Sequence, residues 1–406
     1  MTTHGRDDVE EQGAQDDLAM VARMVEPAVC AAPQDFYRDL LGHAPVVRVE
    51  TPFGPQVLVA RRAEVEEVFR NPTVFSSDMD ATSLGNVRPL IPLQIDPPDH
   101  VRYRRILDPL FAPRQMALLE ESVVTLVHEL VDRFVGDGEC DLVPSFTIPL
   151  PSQVFLTLLG LPLDDLPSFL AMKDGIIRPP GSTPEELERE RARAAQSIYD
   201  YFEPVLDARA VEPHDDLVSR FLVTDVEGER LTREEILDIC FLFLIAGLDT
   251  VSASLECFFV DLATHPERRR RLVEDESLIP SAVEELLRWE TPVTGVIRVA
   301  KEDVELGGVQ VRAGDSVSPM LGAANVDPAE VPHADVVDLA REANRHLAFG
   351  GGVHRCLGSH LARLELRVAL REFHRRIPEY RLADGAEPSF TPGIRSVDRL
   401  PIVFGG

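Results

Sequence analysis

The sequence predicts a mainly α-helical chain with a small, segregated β region, an α+β class. Three observations lead there: one helical period that runs from Thr232 to Thr264, a β-rich hairpin near the N-terminus, and short strand-like pieces confined to the last third of the chain. Residues 1–17 carry six acids against Arg6 alone and show no basic-then-apolar leader, so they are expected to form a disordered tail. No repeat or low-complexity linker divides the remainder, and residues 18–406 read as one domain.

Val46–Val49 and Gln56–Ala60 are rich in β formers and flank a Pro/Gly turn at Thr51–Pro55, which predicts a hairpin. Thr183 and Glu186 form a capping box with Pro184 at the first helical position, opening a charged helix through Arg193. Thr232 and Glu235 form a second box. The 33 positions from there to Thr264, just before His265-Pro266, make a rod of about 50 Å. Strand-like pieces return at Val293–Val299, Val309–Arg312 and Leu400–Phe404.

Composition bounds the function. The 406 residues include 41 basic and 69 acidic side chains, a formal charge of −28, and 44% are hydrophobic. Such a chain can build a large core, and its charge repels phosphates, which argues against a nucleic-acid binder. The longest apolar run, Ile239–Gly247, falls far below the ~18 residues of a membrane span, so no membrane partner is expected. Five scattered cysteines, odd in number and without a CxxC pair, form no disulfide framework and suit a reducing cytoplasm.

The most informative stretch runs from Phe349 through three glycines to His354, Arg355, Cys356, Leu357 and Gly358. Consecutive glycines let a backbone bend where side chains forbid it and approach a flat ligand closely. Cys356 is expected to open a helix whose buried face carries Leu357, Leu361, Leu364 and Val368. A thiol at a helix N-terminus beside His354 and Arg355 favours the thiolate, the form that ligates iron.

This stretch resembles the haem-ligand signature FxxGxxxCxG of the cytochrome P-450 family. Other residues carry the same resemblance in family order. Glu285-Leu-Leu-Arg288 matches ExxR, 71 residues before Cys356, where it implies a buried structural ion pair. Ala246-Gly-Leu-Asp249-Thr250 matches (A/G)GxxT in the long helix, and Asp96-Pro-Pro-Asp-His100-Val-Arg-Tyr-Arg104 resembles DPPxHxxxR. The likeness covers nearly the whole chain after the tail. One departure stands out: aligning Pro332–Leu339 puts Val336 where the family carries a third arginine beside ExxR, unless Arg341 or Arg345 substitutes.

The resemblance implies the P-450 fold, with haem between a long central helix and the cysteine-ligand helix. It implies haem b (iron protoporphyrin IX) with the Cys356 thiolate as axial ligand. His100, Arg104, Arg298 and His354 would serve the propionates, and Phe349, Gly350, Gly358 and Ala246 would lie against the macrocycle. Asp249 and Thr250 would relay protons to bound dioxygen, because a carboxyl with a raised pKa shuttles protons near neutrality. The activity implied is monooxygenation, inserting one atom of O2 into a mostly apolar small molecule. Substrate would be lined by Leu84, Val87, Leu90, Leu242, Ile245, Val293, Val296 and Ile394, with Arg88, Arg178 or Arg395 meeting an oxygen group or facing water.

No nucleotide fingerprint or cysteine cluster is present, so electrons must come from a separate partner. Arg363, Arg367, Arg371 and Arg375 recur every four residues, an expected basic stripe for an anionic iron–sulfur ferredoxin. The rival readings are a haem-binding module without turnover, which the Val336 departure favours, and a cofactor-free helical interaction protein.

Overall fold

The computed structural model describes residues 13, 15–51, 54–78 and 84–405. The expected tail falls mostly outside the described residues. Its last three residues belong to a helix over 15–22, and Asp17 Oδ1 lies 2.6 Å from His43 Nε2. The chain divides into two units. One comprises residues 1–77, 256–356 and 381–402, the other residues 78–255, 357–380 and 403–406.

The first unit is built on a five-stranded sheet in the order Val46–Thr51, Gly54–Val59, Ser316–Pro319, Arg298–Ala300, Phe75–Ser76. The predicted hairpin is its first pair, in register from Val46 opposite Val59 to Thr51 opposite Gly54, so the strands run deeper into the turn than their composition suggests. The third strand joins the hairpin in parallel. Side chains alternate across the sheet. Val46, Val57 and Val59 pack with Phe69, Leu306 and Val311, while Val47, Val49 and Leu58 pack with Phe36, Tyr37 and Leu40. Both faces are therefore buried. The predicted strand at Val293–Val299 shortens to Arg298–Ala300, leaving only an isolated bridge between Val293 and Ile394.

The second unit is helical. The helix opened by Thr183 has the predicted capping box, but it runs on to Val211. Ala195, Ile198, Tyr199, Phe202 and Leu206 fall at helical spacing and bury that extension, and the expected end at Arg193 missed this apolar face. The second box starts the long helix Arg233–Thr264, with Thr232 Oγ1 accepting from Glu235 N at 3.2 Å. This helix is long and apolar enough to cross a membrane by length and composition, and 72% of its most apolar window is buried inside the protein. Counting only uninterrupted apolar residues overlooked it. Its low amphipathicity is that of a core helix.

Helix Ser359–Arg376 packs against Glu120–Asp132. Leu364 and Val368 are buried and Leu357 and Leu361 partly so, the face that periodicity predicts.

Candidate functional site

The cysteine loop is shaped by its glycines. Gly350 and Gly352 have φ of +66° and +63°, a region costly for any residue with a Cβ. Gly351 lies flush on Phe69, where an added Cβ would sit 2.8 Å from the ring, and a Cβ at Gly352 would collide with the Phe69 carbonyl. Cys356 N donates to Phe349 O at 2.9 Å and closes the loop. The helix does not begin at Cys356. It begins at Ser359, with Gly358 as N-cap, because the bent loop and the turn at 357–358 carry the chain three residues further first. Cys356 therefore precedes the first helical residue by three positions in the chain.

Cys356 is exposed, while Cys30, Cys240 and Cys257 are buried and Cys140 is half-buried. Burial pushes the Cys140 thiol up to about 12 and the Cys240 and Cys257 thiols higher still, so none of these three offers a thiolate. The loop has cationic neighbours. His354 ends a 3-10 turn, Gly352–His354, and Arg298 lies with its guanidinium 5.8 Å from the centre of the Phe69 ring. Phe69, which sequence reading passed over, thus meets both the loop and Arg298. One accessible sulfur, a backbone that only glycine permits, and adjacent cations suit a flat, anionic, iron-bearing group such as haem.

The ExxR pair belongs to the same unit as this loop. Glu285 and Arg288 are 0% and 1% exposed and form a two-point bond along one guanidinium edge, with Nε and Nη2 donating to the two carboxylate oxygens at 2.9 and 2.8 Å. The third partner is present after all. Arg341 Nε donates to Glu285 Oε2 at 2.9 Å, and its other nitrogens donate to the Pro332, His333 and Val336 carbonyls. The alignment through Val336 counted five residues too early, and Val336 contributes only its backbone. Asn344 Nδ2 and Asp338 N complete five donors to Glu285, at 2.9 and 2.8 Å. Burial alone would raise the Glu285 carboxyl, but Arg288, Asp338 N and Arg341 outweigh it and hold it below its ordinary value.

Asn325, also missed, accepts from Leu347 N at 2.6 Å and donates to Thr291 Oγ1 at 2.8 Å. It ties the approach to the cysteine loop onto the end of helix Ile279–Glu290.

In the second unit, Thr250 Oγ1 donates to Ala246 O at 3.0 Å, back-bonding within the long helix. Gly247 admits the Phe155 ring, 2.7 Å from where a Cβ would be. Asp249 is not a lone buried acid. Its Oδ1 accepts from Lys173 Nζ at 2.5 Å, and Lys173 also reaches Asp174 at 3.0 Å. Burial would lower the Lys173 ammonium, but the two aspartates more than offset it and raise it. Lys173, one of two lysines in the chain, interrupts the apolar helix Leu166–Ile177, which was the available signal.

His100 is buried and Arg104 lies one turn on in helix Asp99–Leu107, its Nε 2.7 Å from Asp108. Leu242 and Ile245 join the helical core with Leu90, which is fully buried and shows no free face, while Val87 is 66% exposed. Leu84, Val293, Val296 and Ile394 are half-buried. Arg88 pairs with Asp238 at 2.8 Å and Arg395 with Glu290 at 2.9 Å, so both have carboxylates within the protein. The arginine stripe also divides. Arg371 and Arg375 pair with the buried Glu372, and Arg371 reaches Glu120 as well, while Arg363 and Arg367 are half-buried and Arg363 Nη1 donates to Ser359 O at 3.4 Å.

A family model described as "Cytochrome P450" matches residues 33–376. The mycinamicin IV hydroxylase/epoxidase of Micromonospora griseorubida is 39% identical over 85% of this chain and 88% of its own. The vitamin D(3) 25-hydroxylase of Pseudonocardia autotrophica is 34% identical over 92% and 94%. Among solved structures, a myxobacterial cytochrome P450 in complex with myristic acid superposes with a TM-score of 0.87 at 32% identity, covering 95% of this chain and 99% of that one. A P450 in complex with an acyl carrier protein ligated to a hexadecenoic acid gives 0.85 at 30% identity, covering 93% and 99%.

Proposed function

The chain belongs to the cytochrome P450 family of haem-thiolate monooxygenases, and from that membership we propose that Cys356 ligates the haem and that the enzyme oxidises a mostly apolar small molecule. The single observation that carries the assignment is Cys356 itself, an exposed thiol on a loop that Gly350 and Gly352 bend through positive φ. When bound, haem supplies activation of dioxygen, and a thiolate ligand favours O–O cleavage. Arg104 and Arg298 would offer cations, and His100 and His354 ring nitrogens, to its propionates.

The chain's own residues supply orientation and protons. Asp249 takes a proton from solvent and passes it toward Thr250, whose hydroxyl is held by Ala246 O until it turns to donate. Lys173 holds Asp249 in place between transfers. The apolar residues Leu242, Ile245, Val293, Val296 and Ile394 suit a substrate with few polar groups, and the relatives' names carry mycinamicin IV, vitamin D(3) and, as a bound ligand, myristic acid.

Electrons come from a separate, acidic iron–sulfur ferredoxin that meets Arg363 and Arg367. Replacing both by Glu slows reduction at low salt, and unchanged rates discard this docking site. Five cysteines outside any disulfide suit a cytoplasmic enzyme. A haem protein without turnover loses its argument, since Arg341 fills the place that Val336 left open.

The test is spectroscopic. The reduced, carbon-monoxide-bound Soret band of the protein should be that of a thiolate-ligated haem, and Cys356→Ala should abolish it. A Cys356→Ala protein with an unaltered spectrum overturns the assignment.

A further inference from the structure

The segment 84–94 forms no helix or strand, yet it is fastened to two helices of its own unit. At one end Leu90 is fully buried, and its N–H donates to Gln94 Oε1 at 2.8 Å. Inside the segment, Asn86 accepts from Leu84 N at 3.0 Å and donates to Arg88 O at 2.7 Å. At the other end Gly85, with φ of +77°, touches helix Pro184–Val211 so closely that a Cβ would stand 2.9 Å from the Arg191 carbonyl.

Between these ends a single side chain reaches across. Arg88 Nε donates to Asp238 Oδ2 at 2.8 Å on the long helix, and the guanidinium lies 5.4 Å from the centre of the Tyr199 ring. Tyr199 OH donates to the other Asp238 oxygen at 3.1 Å. The Asp238 side chain is 3% exposed and that of Arg88 39% exposed, so the acid is a fixed anchor and the arginine the movable partner.

We infer that the Arg88–Asp238–Tyr199 contact is a latch that holds the 84–94 strap closed, making Arg88 and Asp238 positioning residues that set how fast substrate enters and leaves. This rests on the haem-oxygenase reading for what lies behind the strap, but the latch itself is a property of the helical unit. Segments with few buried apolar contacts open locally without global unfolding, and such openings gate many enzymes. Leu90 and Ile91 anchor the strap in the helical core and Leu84 packs against it, while Val87 beside Arg88 is exposed, so between these anchors the charge-assisted bonds carry the closing tendency. An isosteric Asp238→Asn removes the charge while keeping the shape, and Arg88→Met removes it from the exposed side with little packing loss.

The test has two arms on the full-length protein. In hydrogen exchange, amides of 84–94 should exchange about tenfold faster in Asp238→Asn and Arg88→Met, the worth of one charge-assisted bond, and about threefold faster in Tyr199→Phe. Amides of helix Glu120–Asp132 should be unchanged. In stopped-flow absorbance with 4-phenylimidazole, association and dissociation should both accelerate about tenfold while the dissociation constant moves less than threefold, and carbon monoxide rebinding should be unaffected. Exchange and azole rates within twofold of the parent overturn the latch, as does equal acceleration for carbon monoxide, which signals general loosening. A protein with no azole-induced spectrum sinks the haem reading, and the exchange arm then still decides the latch.

Discussion

Glu285→Gln tests the buried network with the least change in shape. The carboxylate accepts five hydrogen bonds, two of them from Arg288, whose side chain is 1% exposed. The amide of Gln cannot accept from all five donors and carries no charge, so Arg288 is left as an uncompensated buried cation. Breaking a buried pair in this way costs about 3–5 kcal/mol, a large share of the roughly 5–15 kcal/mol that holds a domain folded. Arg341, 12% exposed on its side chain, is closer to water, and Arg341→Met should cost less, about 1.5–3 kcal/mol for a bond to a charged group. Because both act on one carboxylate, the double variant should cost clearly less than the sum.

Urea unfolding followed by haem absorbance and by far-UV dichroism measures these values, with the same slope expected for all variants. The sign of the pH dependence follows from Glu285 lying below its unfolded value near 4.5. Its contribution is fully present above that pH and is lost as pH falls through the lower, folded value. Glu285→Gln should therefore lose its deficit relative to the parent in acid. A Gln variant within about 1 kcal/mol of the parent at pH 7, or a deficit that persists unchanged to pH 3, refutes the reasoning.

Glu365 is the opposite case: it is 2% exposed, among the described residues its Oε2 has no hydrogen-bond partner, and burial alone pushes its carboxyl well above the ordinary 4.5. Its stability is present below about 4.5 and falls as pH rises toward the folded value, so Glu365→Gln should gain melting temperature over the parent at pH 8 and none at pH 4.5; equal shifts at both discard this. Gly352→Ala, forced into positive φ against the Phe69 carbonyl, should cost about 1–3 kcal/mol and reduce haem retention on gel filtration, whereas an Ala variant that keeps full haem content refutes the tight loop. Thr250→Ala should divert electrons from product to hydrogen peroxide, and Asp249→Asn should slow turnover by about a hundredfold, the usual worth of a positioned acid; unchanged coupling and rate rule out the relay. Lys173→Met should slow turnover, since Asp249 then loses the ammonium that orients it; an unchanged rate discards that positioning role.

What the linear order of residues determined by itself is the set of local devices: two capping boxes, the hairpin, the long apolar helix and the glycine-bent cysteine loop. Each depends on neighbours within a few positions, so spacing and residue type suffice to reveal it. The identity of the ligand cysteine belongs here too, because its glycines are adjacent to it. Partnerships across the chain were decided only by the tertiary structure. Glu285 meets an arginine 56 positions away, and Asp249 meets a lysine 76 positions away. Arg88 and Arg395 spend their charge on Asp238 and Glu290, and Arg371 and Arg375 of the arginine stripe pair with Glu372. An ion pair depends on distance in space and on burial, and neither is written in spacing along a chain. The helix beyond Arg193 was legible in its apolar period but hidden by its charged start, and the start of the cysteine helix moved three residues because loop closure, not propensity, sets where its first turn forms.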